Sequence, residues 1–447
     1  MLNRCIVGFI VTVALLSNAA IAQDWPQWRG IDRDGIIAEP ITPAADGPKL
    51  SWSAKIGSGY SGPTVADGKV YVMDRLTEPK QVERVLCFDQ ATGDSIWTST
   101  WDAVYKGIGY PAGPRASVSI QDGKAYSIGS MGHAFCFDAA DGTVVWKVDF
   151  NKQYDIVANK RMPVWGISGS PLIVGSNVVF HVGGSEGACI VAIDRESGKE
   201  AWRALDDRAQ YAAPVLMEHN EQKSIICWTG DSIASLDPDS GDTRWRFEFK
   251  PRNMPIGIAT PVIKDGHIFV TSFYDGSLML KVSDDGKSVS KVWAAVGPNE
   301  KATKSLQSII STPIWLGDHI YGVDSYGELR CLEAKTGQRI WENLDAVPKA
   351  RWSTIHFVQN GADGDTTWMF NERGEIVLGK LTPEKFEELS RHKILDPTKP
   401  QLRQRGGVCW SHPAFADQSI IVRNDEEIKS WKLGGQASEP GDIQTSF

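Results

Sequence analysis

Short apolar runs that end on an acidic residue recur along the chain, such as Val85-Leu86-Cys87-Phe88 before Asp89 and Ala134-Phe135-Cys136-Phe137 before Asp138. Their two-residue period predicts strands rather than helices. Each run leads into one formula: Asp or Glu, three residues, Gly, three residues, Trp. It stands at Asp89-Gly93-Trp97, Asp138-Gly142-Trp146, Asp194-Gly198-Trp202, Asp237-Gly241-Trp245 and Glu333-Gly337-Trp341, with a degenerate copy from Ser283 to Trp293. An Asp can accept hydrogen bonds from backbone amides ahead of it, and Gly supplies the positive φ of a tight hairpin. The Trp then falls on the returning strand, where a large ring at one register in every unit is expected to wedge neighbouring sheets apart.

A second repeat sets the number of units. Its reference position reads Pro63, Val118, Pro171, Pro214, Pro261, Pro313, Ile355 and Pro413, each followed four residues later by a polar or turn-forming residue. Eight copies predict an all-β, eight-bladed propeller of four-stranded antiparallel blades, an architecture that leaves few strand edges unpaired. After Pro413 the strands Ser419 to Val422 and Ile428 to Leu433 lack a Trp-bearing return strand, and the segment from Lys49 to Ala54 carries a Trp with no hairpin before it. The two ends are therefore expected to share one sheet and close the ring. The predicted organisation is an export signal at residues 1–22, a lead segment at 23–48, the propeller at 49–433 and a disordered tail at 434–447.

Composition refines this picture. The 43 Gly, 23 Pro and 17 Trp describe a turn-rich, Trp-rich β protein. The formal charge of −8 becomes −9 once the +1 of Arg4 is lost with the signal, and the absence of a basic tract argues against nucleic acid. The apolar run from Cys5 to Leu16, preceded by Arg4 and followed by Ala20-Ile21-Ala22, reads as an export signal cut after Ala22 and is too short for a membrane span. A periplasmic or extracellular monomer is expected. Cys87, Cys136 and Cys331 occupy equivalent places in different blades, on the order of 10 Å apart or more and beyond the reach of a disulfide. A pairing among Cys189, Cys227 and Cys409 stays open.

The form from Ala192 to Trp202 resembles the tryptophan-docking repeat of the pyrroloquinoline quinone (PQQ)-like propellers. That family contains quinoprotein alcohol dehydrogenases and the propeller lipoprotein of the outer-membrane barrel-assembly machine. The opening Asp24-Trp25-Pro26-Gln27-Trp28-Arg29-Gly30 resembles the lead of secreted members with no assigned reaction, with Ile31 where that pattern has Pro. The resemblance implies the fold across nearly the whole mature chain. For activity it implies two readings, because the repeat is a packing device. One is a non-catalytic binding or scaffold protein of the cell envelope, without cofactor or metal, that docks an envelope protein or other envelope component on one face. The other is a PQQ- and calcium-dependent dehydrogenase acting on an alcohol or sugar. The dehydrogenases mostly carry two adjacent Cys above the cofactor, and this chain has no such pair. Glu186, Asp324 and Asn371 are candidate hard-cation ligands, although each reads first as a solvated turn residue.

The binding reading has candidate residues. Loops between blades end at the innermost strand, so residues just before each reference position should ring one mouth of the channel. Three positions earlier the series is Tyr60, Arg115, Ser168, Tyr211, Ile258, Ile310, Trp352 and Trp410, rich in the aromatic and Arg side chains of binding hot spots. Arg161, Trp165, Arg351 and Arg405 lie in adjacent loops. The alternative is that these side chains simply plug the narrow end of the ring, with Arg115, Arg351 and Arg405 paired to Asp or Glu of the same loops. The stretches from Val148 to Pro163 and Leu395 to Gly407 should decorate this mouth. Thr382 to Lys393 reads as either a helical turn or an irregular outer strand. Trp25 and Trp28 are expected along the outside of the ring. No phosphate-binding loop is present, and the histidines fall at scattered registers.

Overall fold

The computed structural model describes residues 23–435, so the expected export signal and the tail beyond residue 435 lie outside the described residues. Seven sheets follow one another along the chain, at residues 64–102, 119–149, 172–204, 215–248, 262–295, 314–343 and 355–393, here blades 1 to 7. Blade 8 combines Ala414–Ala416, Ser419–Arg423 and Glu427–Lys432 with Lys49–Lys55 as its outer strand. The terminal strands pair antiparallel, with Trp52 opposite Ser430 and Ala54 opposite Ile428. The eight-bladed propeller and its closure by the two ends are both as expected from the repeats.

The repeated Trp does more than separate the blades. Five of the indoles lie against the turn Gly of the following blade: a Cβ on Gly142 would come within 2.6 Å of the Trp97 ring, and one on Gly93, Gly198, Gly241 or Gly337 would meet Trp52, Trp146, Trp202 or Trp293 as closely. The indole N–H donates to the carbonyl of the residue after the turn acid, as in Trp52 to Gln90 O at 2.8 Å, Trp97 to Ala139 O at 3.2 Å and Trp146 to Arg195 O at 2.8 Å. Trp202 and Trp293 repeat the bond to Pro238 and Ala334, and Trp341 donates to Thr382 O, where Leu381 stands in place of the acid. The turn is held ready for it, since Asp89 Oδ1 accepts from Ala91 N and Thr92 N while Gly93 takes φ +76°. Trp245 is the exception: its N–H is buried without a partner, because blade 5 carries the degenerate turn and its Gly286 abuts Gln222 instead. The segment from Thr382 resolves to the strand alternative, Phe386–Lys393, which forms the outer edge of blade 7. All six described cysteines are free and buried, which settles the pairing left open from sequence.

The lead segment departs most from expectation. Trp25 is 2% exposed and pairs with Val65 of blade 1, and Pro26 O accepts from Ile120 N of blade 2. Trp28 donates its indole N–H to Thr260 Oγ1 of blade 5 at 2.8 Å. Arg33 lies under blades 3 and 4, donating to Ser170 O, Pro171 O and Pro214 O. Ile36–Ile37 then adds a parallel strand to the inner edge of blade 7, and Ala44 N donates to Leu433 O before the closing strand begins. These tryptophans thus sit within the channel and not on the outside. The physical reason is that inner strands facing an open channel leave backbone groups unpaired, and the lead segment supplies partners for them. Gly434 belongs to this arrangement as well, bridged to Pro43, so the predicted tail begins as paired backbone.

The docking geometry makes a contrast testable. Gly142→Val places a branched side chain at φ +75° against the Trp97 ring and should cost about 3 kcal/mol or more. Gly68→Asn, at φ +71° with open space around its Cβ, should cost about 1 kcal/mol or less. Urea unfolding midpoints of the two variants check this.

Candidate functional site

Each inner strand starts just after its reference residue, and side-chain hydroxyls at the preceding positions tie one blade entry to the next. Ser170 Oγ accepts from Ser117 N at 2.9 Å, Thr312 Oγ1 from Thr260 N at 3.0 Å and Ser311 Oγ from Ile355 N at 2.9 Å. With the entries locked in one register, the eight residues three places earlier meet. Tyr60, Arg115, Ser168, Tyr211, Ile258, Ile310, Trp352 and Trp410 all line one axial cavity of about 130 Å³. Trp165 joins them, its ring stacked on Tyr211 at 4.9 Å.

The floor and cover were not legible in the repeats. Trp28 of the lead segment closes the bottom together with Ser170, Ala213 and His412. Tyr110 reaches into the mouth from the loop between blades 1 and 2 and meets Trp165 and Trp352 edge-on at 6.0 Å each, and Trp410 at 6.5 Å. That loop is pinned down: Arg75 donates to Pro111 O, and Arg115 donates to Gly109 O and Tyr110 O. Its Gly- and Pro-rich sequence, from Gly107 to Pro114, was the available signal.

The other three arginines placed at the mouth do not line the cavity. Arg161 holds the carbonyls of Gly183, Asp206 and Asp207 and lies 3.3 Å from the Asp206 carboxylate. Arg351 makes a two-pronged pair with Glu300, at 2.8 Å on each oxygen, and covers the faces of Phe273 and Trp352. Arg405 pairs with the buried Glu372, which also accepts the Trp410 indole N–H at 3.3 Å. Arg351 and Arg405 thus pair with acids, but with Glu300 and Glu372 of other loops and not with acids of their own loops. Arg115 differs: its bonds go to Gly113 O, Gly109 O, Tyr110 O and Ser130 Oγ, and its guanidinium lies 4.7 Å over the Tyr60 ring.

The cavity offers little proton chemistry. Burial pushes the Tyr211 phenol up to about 12, and Tyr60 and Tyr110 are raised by the same cause. His412 donates from Nδ1 to Pro413 O, leaving Nε2 buried and unpaired, and desolvation followed by neighbouring His356 and Arg29 keeps it neutral. His181 likewise leaves its Nε2 unpaired, whereas the Nε2 of His356 is bonded to Trp410 O.

The residues present do not fit PQQ with calcium. A tricarboxylate cofactor and a hard cation call for several cations and a set of carboxylate or amide oxygens. The cavity wall holds one arginine and no carboxylate, and among the described residues no three of His, Cys, Asp and Glu come together as a metal cluster. Of the candidate ligands, Asp324 is engaged by Arg330, Thr303 and Gln307 N, and Asn371 by Ala346 O and Glu375, on different blades. Glu186 lies in a loop of blade 3.

Residues 81–343, more than half of the chain, match the family model described as "Outer membrane protein assembly factor BamB", of the PQQ_2 repeat type. The chain belongs to this PQQ-like repeat family. The chain is 23% identical over 231 residues to the outer membrane protein assembly factor BamB of Shewanella oneidensis, covering 51% of this chain and 56% of that one. It is 29% identical over 223 residues to the quinohemoprotein alcohol dehydrogenase ADH-IIG of Pseudomonas putida, covering 45% and 27%. The chain thus spans about half or less of these curated relatives. Among solved structures, a europium-containing methanol dehydrogenase superposes with a TM-score of 0.65 at 12% identity, over 92% of this chain and 98% of that one, a likeness of fold. The matched PQQ-like repeats end with blade 6, so Trp28, Tyr60, Trp352, Trp410 and His412 come from outside them.

The buried histidines around the axis make stability depend on pH. Burial lowers His181 and His356 to about 4 from an ordinary 6.5, so between these values the unfolded chain binds protons that the folded chain does not. Stability from these groups is therefore complete above pH 6.5 and is lost as the pH falls toward 4, by about 1.4 kcal/mol per pH unit for each histidine. Buried carboxyls raised by desolvation, such as Glu372 and Asp324, act in the opposite sense, so the comparison is with His356→Gln. Urea unfolding at pH 7, 6, 5 and 4.5 should show the variant losing stability less steeply by about that amount; parallel curves contradict it.

Proposed function

We propose that this chain is a non-catalytic binding propeller of the cell envelope that works as a monomer and docks an envelope protein over its aromatic mouth. One observation carries the reading: side chains from all eight blade entries converge on a single axial cavity whose wall is aromatic and aliphatic, with Arg115 as its one charged member. Such a wall suits recognition of an inserted group, since Trp, Tyr and Arg dominate binding energy in well-packed, desolvated pockets. Its lack of carboxylates sets it apart from a PQQ and calcium centre. The family match and the assembly-factor relative are consistent with an envelope role; the dehydrogenase relative keeps oxidation of an alcohol or sugar as the alternative. An exported, periplasm-facing location follows from the same proposal and from the apolar stretch at residues 5–16.

The test is genetic and spectroscopic. Deleting the chain from its host should lower the amount of folded outer-membrane β-barrel protein. The intact chain should restore it, and Trp352→Ala with Trp410→Ala should fail to do so at least severalfold while accumulating to normal levels. Unchanged restoration by the double variant contradicts docking at the mouth. Reduction of a dye acceptor by an alcohol, after addition of PQQ and calcium, establishes the alternative.

A further inference from the structure

The axial cavity has a size, a wall and a sign of charge, and together they specify an occupant. The inference rests on the binding reading above and names the ligand chemistry. An apolar cavity of roughly 150 Å³ accepts benzene, whereas drug-sized ligands need about 300 Å³ or more. At about 130 Å³ this cavity matches a single six-membered ring. Its sides are ring faces and edges of Trp165, Tyr211, Trp352 and Trp410, the surroundings in which an aromatic ring gains offset-stacked and edge-to-face contacts.

The charge comes from an asymmetry among the four mouth arginines. Arg161, Arg351 and Arg405 each lie within 3.3 Å of a carboxylate, and none of them lines the cavity. Arg115 lines it and, among the described residues, has no carboxylate within ion-pair distance. Its terminal nitrogens donate only to carbonyls and to Ser130 Oγ, and its Nε makes no hydrogen bond among the described residues. The nearest acid in its network, Glu83, is fully buried behind Tyr105 and Ser130, where it accepts from Trp101 Nε1, Tyr105 OH and Ser130 N. A cation on an apolar wall without a facing anion is a site for one, because a charge-assisted hydrogen bond in a desolvated setting is stronger than the same bond in water.

We propose that the axial cavity binds a one-ring aromatic monocarboxylate, with the ring among the mouth tryptophans and the carboxylate against Arg115. The same wall disfavours amines, which meet a like charge. Neutral aromatics gain the ring contacts alone.

Calorimetry and tryptophan fluorescence on the full chain test this with benzoate, benzyl alcohol, benzylamine, acetate and PQQ. Benzoate should bind saturably at one site per chain, benzyl alcohol at least tenfold more weakly, and the other three without saturation. Arg115→Gln should lower benzoate to the level of benzyl alcohol. Because Arg115 also holds the loop that carries Tyr110, a second variant is needed: Ile310→Trp fills the cavity from the rim with Arg115 in place, and should abolish binding of both ring ligands. Absence of saturable benzoate binding, equal affinity for benzoate and benzyl alcohol, tighter binding of PQQ, or benzoate binding untouched by Ile310→Trp each overturns the proposal. Failure with benzoate while the host still depends on Trp352 and Trp410 removes this ligand class alone. Failure of both removes the mouth as a binding site.

Discussion

The whole molecule depends on one contact: an indole ring laid against a glycine in the next blade. Only a residue without Cβ lets the Trp97 ring approach Gly142 so closely, and only a positive φ lets the hairpin turn at that point. The acid that opens the turn organises its amides, and the turn in turn presents a carbonyl for the indole N–H. Strand pairing holds each blade together, but it says nothing about the angle between blades. The indole, the glycine and the carbonyl set that angle at five of the eight interfaces, and repeating it around the axis closes the ring at eight. Trp52 belongs to this series although it lies near the start of the chain, because the outer strand of blade 8 must carry the ring that docks on blade 1.

From a repeated angle follows a repeated position. Residues at equal distances before each inner strand fall on a circle about the axis, so a row of sequence positions becomes the wall of a cavity. The wall is chemically uneven, with aromatic rings at Tyr60, Tyr211, Trp352 and Trp410, aliphatic groups at Ile258 and Ile310, and a guanidinium at Arg115. Symmetry of backbone and asymmetry of side chain are what turn a packing scaffold into a selective site. The family's repeats supply the scaffold, while the lead segment and the last two blades supply much of the chemistry.

The lead segment links stability and site. A propeller channel lined by inner strands leaves backbone donors and acceptors unpaired, and residues 25–37 meet them at blades 1, 2, 3, 4 and 7. Two arginines are buried in this segment, with desolvation pulling Arg33 down to about 9 and Arg29 to about 10. Both donate to backbone carbonyls, a way of accommodating a buried cation without an ion pair. The same segment places Trp28 under the cavity, so the element that seals the channel also shapes the ligand's floor.

The sequence alone determined the blade count, the strand shared by the two ends, and the circle of residues at the mouth, because each depends on periodicity, and periodicity is a property of the chain. Tertiary structure decided what periodicity does not encode. Trp25 and Trp28 have no counterparts in the repeats, so nothing in their spacing told the channel from the outer surface. Tyr110 sits in a loop whose path depends on Arg75 and Arg115 gripping its carbonyls. The four mouth arginines look alike in sequence; which of them faces a carboxylate depends on residues as distant as Glu300 from Arg351, and Glu372 from Arg405. Local patterns specify turns and strands, whereas the partner of a charge and the occupant of a channel are set by segments far apart in the chain that only folding brings together.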